Sequence, residues 1–228
     1  MTLTRIGGLA ALTCATTYLI GFALLVTLLA PLGFGTGEID PAAVVAFIDA
    51  RTGLMIAWNT TIYVLNALAL ALLVVAFAER LAPLPGWAAV TRAFGLIWAT
   101  LVLGAGMIAN VAVERAAHLY PQDPGASADL WATMHAVENG LGGGNEIAGG
   151  VWIGGVSLAG MISRSLPRPV AWLGLATGLG GLVTLVPALG DAAGAVFGLG
   201  AIGWFLGVGV ALLAARSDVT SDPLVRPS

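Results

Sequence analysis

The side chains able to do chemistry are few: two histidines, twelve carboxylates, a set of asparagines, one cysteine (Cys14), and no lysine at all. Their spacing is more telling than their number. Asn110, Glu114 and His118 recur every fourth residue, which places them on one stripe of a helix. His135, Glu138, Asn139, Asn145 and Glu146 form a second stripe if a single helix carries them, and Asn59, Tyr63 and Asn66 share a third. Glu114 with His118, and His135 with Glu138, each stand one turn apart. At that spacing two side chains can grip one ion, so a shared metal centre of Glu114, His118, His135 and Glu138 is one expectation. General acid–base catalysis by Glu114, Glu138, Glu146 and His135 is another. In both cases Asn59, Tyr63, Asn66, Asn110, Asn139 and Asn145 would be the binding residues.

A bland alternative accounts for the same residues. Arg115 could pair with Glu114 or Glu138, the asparagines could bond neighbouring helices, and the histidines could sit at the interface. No HExxH, P-loop, GxSxG or CxxC names an activity. Two histidines could ligate a haem, but nothing else points to one, and the cofactor stays open. A lone Cys14 in an apolar run is a packed thiol without an internal disulfide partner.

The elements that position these groups follow from composition. Of 228 residues, 58% are hydrophobic and 9% charged, with mean hydropathy +0.95. So few charges cannot cover a water-facing surface, and the solvent that suits such a chain is a bilayer. Crossing its hydrocarbon core takes about 20 apolar residues. Six stretches qualify, at 6–30, 54–78, 93–113, 140–163, 169–189 and 192–215, with Pro and Gly between them. The expected fold is all-α: a polytopic transmembrane helix bundle in one domain over residues 1–216, followed by a short cytoplasmic tail at 217–228. The N-terminal apolar run is too long for a signal peptide and is read as an uncleaved first span. Pro41 to Asp49 is expected to form a short separate surface helix.

Arginine sets the orientation. With the N-terminus in the cytoplasm, Arg5, Arg80, Arg92, Arg164, Arg168, Arg216 and Arg226 lie inside, and only Arg51 and Arg115 outside. Both termini are then cytoplasmic, in a plasma-membrane protein. Most acids fall on the outer side, Glu38, Asp123 and Asp191 among them, and only Glu79, Asp218 and Asp222 fall inside. The polar stripes therefore belong to the outer half. Glu146 is the least comfortable of these residues. The apolar run that follows it, residues 147–162, spans only about 24 Å as a helix, so a full crossing draws Glu146 below the membrane boundary. The run from Gly140 to Gly144 makes a hinge or local unwinding expected just before it, since each glycine costs a helix about 1 kcal/mol. Small-residue pairs Gly150/Gly154, Gly174/Gly178, Gly194/Gly198 and Gly203/Gly207 suit close helix packing, within the chain first and between copies in a homo-oligomer second.

Two stretches, TRAFGLIWATLVLGAGM (91–107) and EIAGGVWIGGVSLAGMISRSLPRPVAWLGLATGLGGLV (146–183), give the chain from about Thr52 onward a resemblance to bacterial six-helix membrane proteins grouped under a domain of unknown function. The resemblance implies the helix count and topology and brings no activity or catalytic residues. The segment from Glu138 to Glu146 is more polar and glycine-rich than that family's pattern. Three roles stay open: an outward-facing polar pocket of unassigned function, a membrane enzyme acting on a lipid or isoprenoid, and a small or proton-coupled carrier. The expected partners are the bilayer and an apolar or lipid-like ligand, and the absence of basic tracts argues against nucleic acid.

Overall fold

The computed structural model describes residues 2–34 and 39–215, leaving out the side chains at 142–145, Pro187 and Asp191. Glu38, the tail at 217–228, and Arg216 and Arg226 lie outside the described residues. The described chain is helical throughout and contains no strand. Helix α1 (Leu3–Leu24) begins at Thr2, whose hydroxyl accepts from the Arg5 amide. It continues through a π-helical turn at Leu25–Leu29 and a 3-10 turn at Ala30–Leu32. Gly33, at φ 88°, ends it in the left-handed region, where a residue without Cβ fits best. Helix α2 (Pro41–Asn59) is capped by the Asp40 carboxylate, and a π-helical segment at Thr60–Leu65 joins it to α3 (Asn66–Arg80). Then follow α4 (Pro85–Leu119), α5 (Pro124–Ile162, capped by Asp123), α6 (Arg168–Val183) and α7 (Gly190–Ala214). Pro41, Pro85 and Pro124 each open a helix, where the missing N–H removes no hydrogen bond.

The bundle closes on itself. α1 packs on α3, each of α3 to α6 packs on the helix that follows it, and α7 returns to α1. α2 lies across α4 and α5. Within the ring, Trp98, Trp152, Trp204, Phe77 and Phe205 are fully buried against one another, and the Trp204 indole N–H donates to Ser157 at 3.0 Å. The outside is equally apolar: Leu68, Leu72 and Val75 on α3, Phe94 and Ile97 on α4, and Val196, Leu199, Leu206 and Val210 on α7 are exposed. An exterior of bare aliphatic side chains suits lipid. Among the described residues four helical segments are long and apolar enough to cross a membrane: Leu3–Leu32, the 40-residue rod Pro41–Arg80, Pro85–Leu119 and Ala192–Ala214.

At Arg51 the rod departs from helical geometry (φ −145°, ψ 41°), so it is two helices meeting at a kink, and the short helix expected from Pro41 is set off there from the span that follows. Two expectations about the elements change. The glycine run in α5 does not unwind the helix, which runs unbroken from Pro124 to Ile162. α5 also begins well before residue 140, because Asp123 and Pro124 start a helix in polar sequence that an apolar-span count passes over. The Gly150/Gly154 and Gly174/Gly178 pairs pack within the chain, whereas Gly194 meets nothing within 4 Å. A Cβ on Gly178 would meet the Gly150 carbonyl and the Gly154 backbone, so α5 and α6 approach through their main chains. At one end of the bundle Arg80 donates from Nε and Nη2 to the Ser165 carbonyl, at 3.2 and 2.9 Å. This ties the α3–α4 turn to the α5–α6 turn.

Candidate functional site

The half of the bundle beside the α1–α2, α4–α5 and α6–α7 connections holds a cavity of about 510 Å³. That volume falls in the range of small-molecule sites. α1 contributes Tyr18 and Phe22, α2 contributes Trp58 and Asn59, α5 contributes His135, Glu138 and Glu146, and α7 contributes Phe197. Both π-helical stretches border it, through Leu25 and through Ile62 and Tyr63. A π turn inserts an extra residue and shifts the side chains after it, a local irregularity frequent at functional sites. Tyr63 fits against α4 because Gly106 faces it; a Cβ there would collide with the Tyr63 Cβ.

One wall is a closed hydrogen-bond network. Glu138, 8% exposed, accepts from the Tyr63 hydroxyl at 2.7 Å and pairs with His135 Nδ1 at 2.8 Å. Asn139 Nδ2 lies 3.1 Å from His135 Nε2. An amide N–H can only donate, so His135 accepts at Nε2 and holds its proton on Nδ1, donating it to an ionised Glu138; this tautomer is assigned from the network. The Trp131 ring stacks on His135 at 4.7 Å and 14°, and the Phe34 ring meets it edge-on at 6.0 Å. Phe34 lies nearly as close to Trp131, at 6.1 Å, so the imidazole is fixed on one face, along its edge and at both nitrogens.

The other wall is unsatisfied. Asn59 is only 3% exposed, lines the cavity, and makes no side-chain hydrogen bond among the described residues. The buried Trp58 Nε1 has no acceptor, and the Tyr18 hydroxyl has no hydrogen-bond partner among the described residues. Glu146 is partly buried at the cavity and pairs with no cation among the described residues. Tyr18, Asn59 and Glu146 thus line the cavity without a side-chain partner among the described residues, where water or a ligand can meet them.

The remaining expected site residues divide. Asn66 lines the cavity, but its amide is spent on Thr17 at 2.7 Å and the Cys14 carbonyl at 3.5 Å. Asn110 donates to Thr60 at 3.1 Å outside the cavity, and its Oδ1 is buried without a partner. Glu114 and His118 are exposed on α4, whose cavity face is instead Ala109, Ala112 and Val113. The shared metal centre of Glu114, His118, His135 and Glu138 is therefore not assembled: one pair lies on the cavity wall and the other faces outward. Among the described residues no three His, Cys, Asp or Glu side chains could hold an ion together. Arg115 is also exposed, and Glu138 takes His135 as its partner. The side chain of Asn145 lies outside the described residues. Sequence reasoning missed Tyr18, Phe22, Trp58 and Trp131 as lining residues. The consecutive Thr17 and Tyr18 in an otherwise apolar helix are the signal that could have found the α1 wall. No protein-family model, curated protein or solved structure matches this chain.

Proposed function

We propose that the chain is a six-span integral protein of the plasma membrane, with both termini cytoplasmic, whose cavity opens outward and binds a small ligand for reception or carriage. The observation that carries this reading is a cavity of about 510 Å³ lined by Tyr18, Asn59 and Glu146, whose polar groups no neighbouring side chain engages among the described residues. A binding site keeps such groups free for its occupant. The orientation rests on the arginines: the end tied by Arg80 and Ser165 also carries Arg164 and Arg168, and the cavity is at the opposite end. Catalysis by His135 and Glu138 is the weaker reading. Both ring nitrogens and both carboxylate oxygens are already engaged, so acid–base work would first have to break the network.

Asn139 is exposed and borders the cavity, which makes it a reporter of access. Asn139→Cys in a Cys14→Ala background is expected to react with a membrane-impermeant maleimide applied to intact cells. Labelling that appears only after permeabilisation would reverse the orientation. No labelling in either case would mean that water does not reach the cavity.

A further inference from the structure

The geometry points to a lipophilic organic cation as the ligand of this cavity: a compact ammonium group carried on an apolar or aromatic body. This assignment rests on the cavity being a ligand site. Charge comes first. Glu138 and Glu146 line the space and no Arg does, while the chain has no Lys. The Glu138 charge is already compensated by the Tyr63 and His135 hydrogen bonds. Glu146 has no cation beside it among the described residues, and a carboxylate at membrane depth is costly until something neutralises or hydrates it. An anionic ligand would add repulsion, and a neutral one would leave that cost in place. A cation removes it.

Surface chemistry comes second. Tyr18, Phe22, Trp58, Tyr63 and Phe197 surround the same space. Aromatic faces attract cations through their quadrupoles, by about 2 kcal/mol or more once water is excluded. Quaternary ammonium groups, which cannot donate hydrogen bonds, depend on such walls. The third element is Asn59, which lines the cavity with no side-chain hydrogen bond among the described residues. Its amide is offered to a polar atom on the ligand's body, which a bare proton would not use.

The test compares two probes of one shape: benzyltrimethylammonium, and neopentylbenzene, in which carbon replaces the charged nitrogen. Each is titrated into the full-length protein in nanodiscs, with empty nanodiscs subtracted. The expected result is that the cation binds at least tenfold more tightly than its neutral analogue. Glu146→Gln should abolish that preference, and Glu146→Asp should retain most of it, with neither variant less stable than wild type in thermal unfolding. Equal binding of both probes, unaffected by Glu146→Gln but lost in Asn59→Phe, would overturn the cation assignment and leave the cavity as a site for neutral ligands. Binding of neither probe above empty nanodiscs would overturn the cation assignment. Binding that Asn59→Phe does not disturb would place the ligand elsewhere and overturn the cavity reading as well.

Discussion

Glu138 and Glu146 stand about two turns apart on α5 and line the same cavity, yet their surroundings give them opposite roles. Glu138 is the hub of a satisfied network, and removing it strands the Tyr63 hydroxyl and the His135 N–H in a buried wall. Glu138→Leu is therefore expected to destabilise the protein by about 2–4 kcal/mol, the cost of unpaired buried groups. Glu146→Gln keeps the shape and removes a charge that has no partner, so stability should be equal or higher. Chemical unfolding of the two variants in the same detergent checks the contrast. If Glu146→Gln proved as harmful as Glu138→Leu, Glu146 would be a structural residue and the binding reading would lose its main support. At this scale the sequence was informative about identity and silent about partnership. His135, Glu138 and Glu146 are legible as an odd cluster from their spacing. That Tyr63 and not Arg115 would reach Glu138 depends on how the Thr60–Leu65 segment and α5 face each other, which no single-helix periodicity contains.

The helices owe their positions to glycine more than to side-chain interlocking. The α5–α6 contact passes through the backbones of Gly150, Gly154, Gly178 and Gly181, while Gly140, on an exposed stretch of α5, touches nothing within 4 Å. The same substitution should thus have opposite effects at the two kinds of site. Gly178→Ala must push two main chains apart and is expected to cost about 1–3 kcal/mol. Gly140→Ala fills open space in a helix interior and should stabilise by about 0.5–1 kcal/mol. Thermal unfolding of the two single mutants reads both signs. The all-helical fold and the order of the helices along the chain were readable from apolar runs and from Pro and Gly punctuation. Helix lengths were not, because a helix continues as long as its caps allow: Asp123 starts α5 in polar sequence, and α4 runs on to Leu119 past the end of its apolar core. The π-helical stretches left no trace in the periodicity, although they set the register of Tyr63 and Asn66 at the cavity.

The whole molecule is polarised along the bundle axis. One end holds the Arg80–Ser165 tie, with Arg164 and Arg168 close by in sequence, and the other holds the cavity, its carboxylates and most of its aromatic lining. Arginine near a span end is retained on the cytoplasmic side during insertion. On the proposed orientation the cavity lies at the exterior. Reporter fusions after Ser165 should give a cytoplasmic signal, and fusions after Asp123 an exterior one. The two positions lie in the connections before and after α5, so they also test whether this helix crosses the membrane at all. α5 is the helix on which that question matters most. It carries His135 and Glu138 in its polar first half and Glu146 just past its midpoint, and packs its glycine-rich second half on α6. If both fusions reported the same compartment, α5 would not span. Glu146 would then be free of the membrane, and the electrostatic argument for a cationic ligand would fall with it. Opposite signals with Ser165 outside would keep the six-span bundle but turn the cavity toward the cytoplasm, where its ligand would have to be an intracellular one.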